Sequence, residues 1–245
     1  MGRKDDFNIY CIRVEGEKVV MKIETRKKLH PTMEPMSYEN LLKAPTTELM
    51  NALASDKSLK ERFYLTGYEG LCLGMSHETL TEAVISSVVP MGREMLLVGD
   101  SEACTLWRKV CHKLSIKVTV LDAAKEDLGE AVETILKANT QISNIMCSTK
   151  SGADVLRTLG RLARKSRKQF VVDNSDDTLT LADIDESGVD FAISGSEGKD
   201  AISMIVARRS RLVMAEGNAR SAKHDIYAIW QDTLTSRNSR WMPMA

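Results

Sequence analysis

A three-layer α/β domain on a mainly parallel sheet is the fold class this sequence predicts, from three observations. From about Phe63 onward, short apolar runs alternate with segments whose apolar residues recur at helical spacing. The runs at 170–172, 191–193 and 204–207 are too short for helices and rich in β-branched residues, as strands buried on both faces are. Polar residues stand at the ends of the first two, Asp173 and then Ser194-Gly195-Ser196. Ligand chemistry in open α/β sheets collects at such carboxyl ends.

Taken in order, residues 7–14 and 18–25 lean towards strand around Glu15-Gly16-Glu17, a short hairpin connection. Pro31, Pro35 and Pro45 make residues 26–45 an irregular connector. Residues 1–45 are thus expected to form a hairpin and connector, either an added edge hairpin or the remnant of another segment, ahead of a main domain over 46–245 that ends in a helical segment. Thr46-Thr47-Glu48 opens a helix through Leu53, with a threonine cap and an early acid. Leu80, Ala83, Val84 and Val88 mark a helix over 80–89, ended by Pro90-Met91-Gly92. The pattern then reads strand 94–98, helix 103–114, strand 117–121, helix 128–138, strand 144–147, helix 155–166 and strand 170–172. That rhythm is the mark of parallel βαβ units with right-handed crossovers.

The length, 245 residues, suits one large domain, or one domain with an appendage. Basic and acidic residues balance at 34 each, so no overall field draws in nucleic acid or an acidic membrane. The basic runs at 208–211 and 237–240 and the acidic run at 173–190 are expected to be solvated surface. The five cysteines form no C-x-x-C pair, and four sit in apolar surroundings, as reduced thiols of a cytoplasmic protein do. No apolar run approaches the roughly 18 residues of a membrane span, and MGRKDDFN lacks the apolar core of a secretion signal. His77-Glu78 has no second histidine four residues on, so it is no zinc helix. Neither a dinucleotide glycine fingerprint nor a phosphate-binding loop with its lysine appears, and Ser194-Gly195-Ser196-Glu197-Gly198 has the wrong order for a nucleophile elbow.

The stretch from Gln169 to Arg209, with AVISSVVP at 83–90 and GNARS at 217–221, resembles the class V branch of the fold-type-I pyridoxal-phosphate (PLP) aminotransferases. Within that branch it is most similar to the 2-aminoethylphosphonate–pyruvate transaminase family, from about Gly74 to the C-terminus. The resemblance implies the PLP-transferase large-domain fold and a homodimer. Its interface would use the segment before Gly74 and a C-terminal region carrying Tyr227, Ile229, Trp230, Leu234 and Trp241. It also implies a small C-terminal domain of about a hundred residues, carrying the arginine that clamps a substrate carboxylate, and that domain is expected to be missing here.

Such proteins need a phosphate cradle, a ring stacker, an anion at the pyridine nitrogen and a lysine. By the resemblance, the cradle falls on Met75-Ser76-His77-Glu78, with Ser76 and His77 contacting the cofactor. A carboxylate at Glu78 would repel a phosphate there, and Ser76 equally reads as a helix N-cap, with Glu78 and Glu82 favourable to the dipole. The stacker position falls on Ala103, with Trp107 one helical turn later reading as core packing. Thr149 and Ser196 are further cofactor contacts, although a strand-end threonine needs no ligand. Asp173 is the pyridine-nitrogen carboxylate, or alternatively an Asx turn onto Ser175. The family lysine lands on Gly198, with Lys199 one place on, a displacement of about 3.5 Å, in a connection shorter than the family's. The expected function is therefore that of a transaminase-like protein with a degenerate PLP site and little or no activity, a binding or assembly partner. The alternative is an active PLP-dependent transaminase. It would move an amino group from an aminophosphonate or amino acid to pyruvate, with Lys199 as the Schiff-base residue.

Overall fold

The structure, a computed structural model, describes residues 8–15, 18–25, 40, 43–49, 63, 65–195, 201, 203–221 and 224–239. Asn8–Glu15 (β1) and Lys18–Thr25 (β2) pair antiparallel, from Asn8↔Thr25 to Glu15↔Lys18. The expected hairpin is therefore present, as a two-stranded sheet of its own and not as extra strands of the main sheet. The connector over 26–39 lies outside the described residues, as does all of the helix expected from Thr46 beyond residue 49.

The main sheet has seven strands: Tyr68–Leu73 (β3), Glu94–Val98 (β4), Val118–Leu121 (β5), Ile142–Ser148 (β6), Gln169–Asp173 (β7), Phe191–Gly195 (β8) and Ser203–Arg208 (β9). Their order is β3-β9-β8-β7-β6-β4-β5, with parallel pairing from β8 through to β5. β9 pairs antiparallel with both its neighbours and so runs against the other strands. His77–Val88 (α1), Ser101–Lys113 (α2), Leu128–Ala138 (α3) and Ala153–Lys165 (α4) come before β4, β5, β6 and β7 respectively. Leu181–Glu186 (α5) lies between β7 and β8, and Arg209–Met214 (α6) and Ile226–Ser239 (α7) close the described chain.

Period-two alternation along the strands divides the core between the two faces of the sheet. Leu96, Val98, Ile145, Cys147, Phe170 and Val172 point into one cluster, shared with Val132 of α3 and Leu159 of α4. Met95, Leu97, Met146, Val171, Phe191 and Ile193 point into the other, shared with α1, α2 and α7. The inner strands β4, β6, β7, β8 and β9 bury apolar residues on both faces, hence their continuous apolar runs in the sequence.

Three elements were not expected from the sequence. In β3, Glu69 and Gly70 interrupt the apolar run; Glu69 is buried because Arg209 Nε lies 3.0 Å from its carboxylate. α5 sits in the acidic stretch, but Thr180 and Asp183 form a capping box at its start, and that signal is in the sequence. α6 has arginines in place of an apolar stripe. The charge runs are also not simply solvated. Asp190 is buried, with Arg208 Nε at 3.4 Å and Arg211 Nε at 3.2 Å from its Oδ1, and the Phe170 N–H donates to its Oδ2. Acidic and basic runs face each other because a buried carboxylate must be paired.

α1 is the most enclosed helix, with ten residues from His77 to Val88 buried. Its polar residues must therefore find partners inside. Ser87 Oγ donates to the Ala83 carbonyl and accepts from the Ile226 N–H. Ser86 Oγ accepts from the Arg220 N–H, and the Arg220 guanidinium donates to the carbonyls of Ser86 at 3.3 Å and Val89 at 2.7 Å. The stretches 83–90 and 217–221 thus meet as a clamp on the C-terminus of α1, whose carbonyls lack helical partners. Ile229 and Trp230, expected at a homodimer interface, are buried against α1 within the chain itself. Trp241, expected at the same interface, lies outside the described residues.

Removing the clamp should cost stability without altering the start of α1. We expect Arg220→Met to lower the unfolding free energy in urea by about 2–3 kcal/mol, since charge-assisted hydrogen bonds at a helix end are lost. An unchanged denaturation midpoint would mean that the clamp contributes nothing.

Candidate functional site

β6, β7 and β8 end side by side, with Ser148 opposite Asp173 and Asp173 opposite Ile193. Parallel strands bring their carboxyl ends to one rim, and the first residue of α1 reaches the same rim. The helix starts there because Ser76 caps it, its Oγ accepting from the Thr79 N–H at 3.2 Å. α1 begins three residues earlier than the apolar spacing suggested, since a cap and not an apolar residue sets the boundary. Ser203, at the start of β9, ties the preceding turn to the sheet by donating to the Met75 carbonyl at 2.8 Å.

Asp173 is the centre of this rim. It is 6% exposed, and its carboxylate contacts three groups of the chain. His77 Nε2 lies 3.1 Å from Oδ1, the Ser175 N–H donates to Oδ1 at 3.0 Å, and the Trp107 indole N–H donates to Oδ2 at 3.1 Å. Burial by itself pushes the Asp173 pKa up, but His77 beside it, the indole and the Ser175 amide together hold it below the usual aspartate value. The Asx turn onto Ser175 and the strand-end carboxylate expected from the sequence are both present. Trp107 is fully buried, as expected for a core residue, and its polar edge is spent on Asp173.

The remaining expected site residues divide into three groups. Thr149 is at the rim, with its hydroxyl donating to Asp176 Oδ1 at 2.5 Å and lying 3.3 Å from the Asp173 carbonyl oxygen. Glu78 does not present a bare charge to a cradle: Lys109 Nζ of α2 lies 2.9 Å from its carboxylate, with both side chains well exposed. Ala103 falls in the first turn of α2. Ser196 and Lys199 lie outside the described residues. Their segment joins an antiparallel pair that closes at Gly195↔Ser203, where a Cβ on Gly195 would collide with Ser203 Oγ.

Asn174 was not anticipated. Wholly buried, it donates to Ser194 Oγ and Thr46 Oγ1, each at 3.0 Å, and accepts from the Leu179 N–H. Asp177 accepts from the Thr47 N–H at 3.2 Å. The segment around residue 46 is thereby fastened to the loop after β7, a tertiary link with no local sequence signal. Among the described residues no cluster of histidine, cysteine or acidic side chains has the makings of a metal site, and no helix is long and apolar enough to cross a membrane. Cys104, Cys111 and Cys147 are buried free thiols and Cys72 is half-buried. Burial raises Cys111 to about 12 and Cys147 to about 11.

Two outcomes are expected here. Native Cys111 and Cys147 should resist iodoacetamide at neutral pH until the protein unfolds, read by mass spectrometry. The folded-state pKa of Asp173 is depressed, so its contribution to stability is complete above the unfolded value and disappears as pH falls through the folded one. The stability advantage of the wild type over Asp173→Asn should thus shrink between about pH 5 and pH 2. An advantage that stays constant through that range would contradict the assigned pairing.

No family model matches the chain. Individual proteins do. A bifunctional phosphonoacetaldehyde hydrolase/aminoethylphosphonate transaminase of Clostridioides difficile is 27% identical over 218 residues, covering 84% of this chain and 33% of that protein. A 2-aminoethylphosphonate–pyruvate transaminase of Burkholderia lata is 28% identical over 172 residues, 65% of this chain and 45% of that one. The chain therefore spans a third to a half of the length of such relatives. Among solved structures, the ureidoglycine–glyoxylate aminotransferase of Bacillus subtilis superposes with a TM-score of 0.57 at 17% identity, covering 89% of this chain and 57% of that one. Pyridoxamine–pyruvate aminotransferase of Mesorhizobium loti gives 0.51 at 13% identity, over 74% of this chain and 45% of that one. In sequence the chain is similar to 2-aminoethylphosphonate–pyruvate transaminases, and in fold to aminotransferases of known structure.

Proposed function

We propose that the chain is a transaminase-like protein with a degenerate PLP site and little or no transaminase activity. The carrying observation is the Asp173 carboxylate, whose two oxygens already contact His77, Ser175 and Trp107 of the same chain. In the family resemblance that carboxylate partners the cofactor's ring nitrogen. His77 Nε2 lies 3.1 Å from Asp173 Oδ1, so a ring held at Asp173 would have to share that space with the imidazole. The Thr149 hydroxyl is engaged by Asp176 in the same way.

The displaced lysine supports the same reading. A lysine at 199 in place of 198 starts about 3.5 Å from the family position. Loss of several parts of one catalytic unit lowers turnover far more than the loss of any one. The protein keeps the fold as a binding or assembly module, and we propose that it does so as a homodimer in the cytoplasm. The relatives' names make an aminophosphonate or amino acid the ligand class to test first.

PLP titrated into purified protein should give no stoichiometric aldimine absorbance, and borohydride should leave no pyridoxyl adduct on Lys199. Amino transfer from 2-aminoethylphosphonate to pyruvate should stay at background. A yellow protein trapped at Lys199 that turns over this pair would overturn the proposal and assign Lys199 as the catalytic lysine.

A further inference from the structure

Cations without an acidic partner gather at the pole of the sheet opposite its carboxyl rim. Lys168, Gln141, Arg93 and Lys117 lead into β7, β6, β4 and β5, which are neighbours in that order and parallel. Strands about 4.8 Å apart therefore set these residues in a row about 14 Å long. Arg93 is exposed and donates to Gln141 Oε1 at 3.2 Å. Lys117 and Arg167 are also exposed, and Lys168 is half-buried. None of Arg93, Lys117, Arg167 and Lys168 has a carboxylate partner among the described residues. Elsewhere the surface pairs its charges, as Lys109 with Glu78 and Lys113 with Glu82. At this pole the acids are already taken: Asp190 by Arg208 and Arg211, and Glu94 by the Asn139 side-chain amide at 2.7 Å. Burial, and then the nearby Arg93, push the Lys168 pKa down, so the row holds like charges together at a cost. The C-termini of α1 to α4 reach the same pole and favour cations there. That explains the sign of the charge but not the want of acids.

We propose that this row is a docking face for an acidic protein segment carrying an apolar residue, the partner of the binding module proposed above, on which reading the inference rests. Charge complementarity supplies most of the contact. Carboxylates on one side of an extended segment stand about 6.8 Å apart, within reach of long side chains spaced along the row. The apolar anchor is Met91. The Arg93 N–H donates to the Pro90 carbonyl at 3.0 Å, closing a tight turn with Gly92 at φ 75°, and that turn leaves Met91 76% exposed. Arg220 holds the base of the turn by donating to the Val89 carbonyl at 2.7 Å, so the anchor stands on a fixed support. A cationic row by itself would suit phosphates equally. Met91 favours a peptide, and so does the balance of 34 basic and 34 acidic residues, because a longer polyanion leaves the row and meets carboxylates.

The test uses the full chain and a fluorescein-labelled probe peptide, a short run of glutamates around one leucine, followed by fluorescence anisotropy. The probe should bind at about 50 mM salt and be released by about 0.5 M, as the screening length falls from about 14 Å to about 4 Å. Arg93→Glu with Lys168→Glu should weaken binding at least about tenfold, since attraction becomes repulsion at both contacts. Met91→Ser should weaken it several-fold at any salt concentration. Lys125→Glu, in the exposed loop after β5 at the other pole, should leave it unchanged. If the double charge reversal does not fold, Arg93→Gln with Lys168→Gln carries the same test with a smaller loss. No binding at low salt, or binding that ignores the substitutions in the row, overturns the inference. Tighter binding of a labelled deoxythymidine oligomer of equal charge also overturns it, in favour of a nucleic acid. Turnover of 2-aminoethylphosphonate with pyruvate, measured without the peptide, overturns the reading of a degenerate site instead.

Discussion

A carboxylate removed from water must find compensating donors, and Asp173 imposes that requirement on the whole carboxyl rim of the sheet. The depth of β7 in the sheet places it there. Satisfying it takes an imidazole from the start of α1, an indole from α2 and an amide from the loop after β7. These come from widely separated parts of the sequence, so the carboxylate fixes how two helices and a loop approach one strand end. Thr149 and Asn174 extend the network sideways, tying β6 and β8 to the same loop.

The two ends of α1 are held by different means. At the C-terminus, Arg220 clamps the carbonyls of Ser86 and Val89. At the N-terminus, Ser76 caps the helix and His77 turns inward to lie 3.1 Å from the Asp173 carboxylate.

Much of the fold was legible in the sequence. Strands such as Glu94–Val98 and helices such as Leu128–Ala138 declare themselves, because a strand apolar on both faces and a helix with one apolar stripe leave different periodicities. β3 was missed because Glu69 and Gly70 break its run, and its burial depends on Arg209, far along the chain. The acidic and basic runs looked solvated until tertiary pairing set Asp190 against Arg208 and Arg211. At the rim, Asp173 was readable from its strand-end position, and Ser76 from its capping chemistry. The roles of Trp107 and Asn174 were not, because a hydrogen bond between residues 66 apart in sequence leaves no local trace.

The most direct test is to follow the Trp107 indole N–H by NMR while PLP is added to the wild-type protein. Its hydrogen bond to Asp173 predicts a signal protected from solvent exchange, and the proposed degenerate site predicts one unmoved by the cofactor. A signal that exchanges rapidly, or shifts to saturation at one equivalent of PLP, would show that the carboxylate is open to the cofactor and would contradict the account.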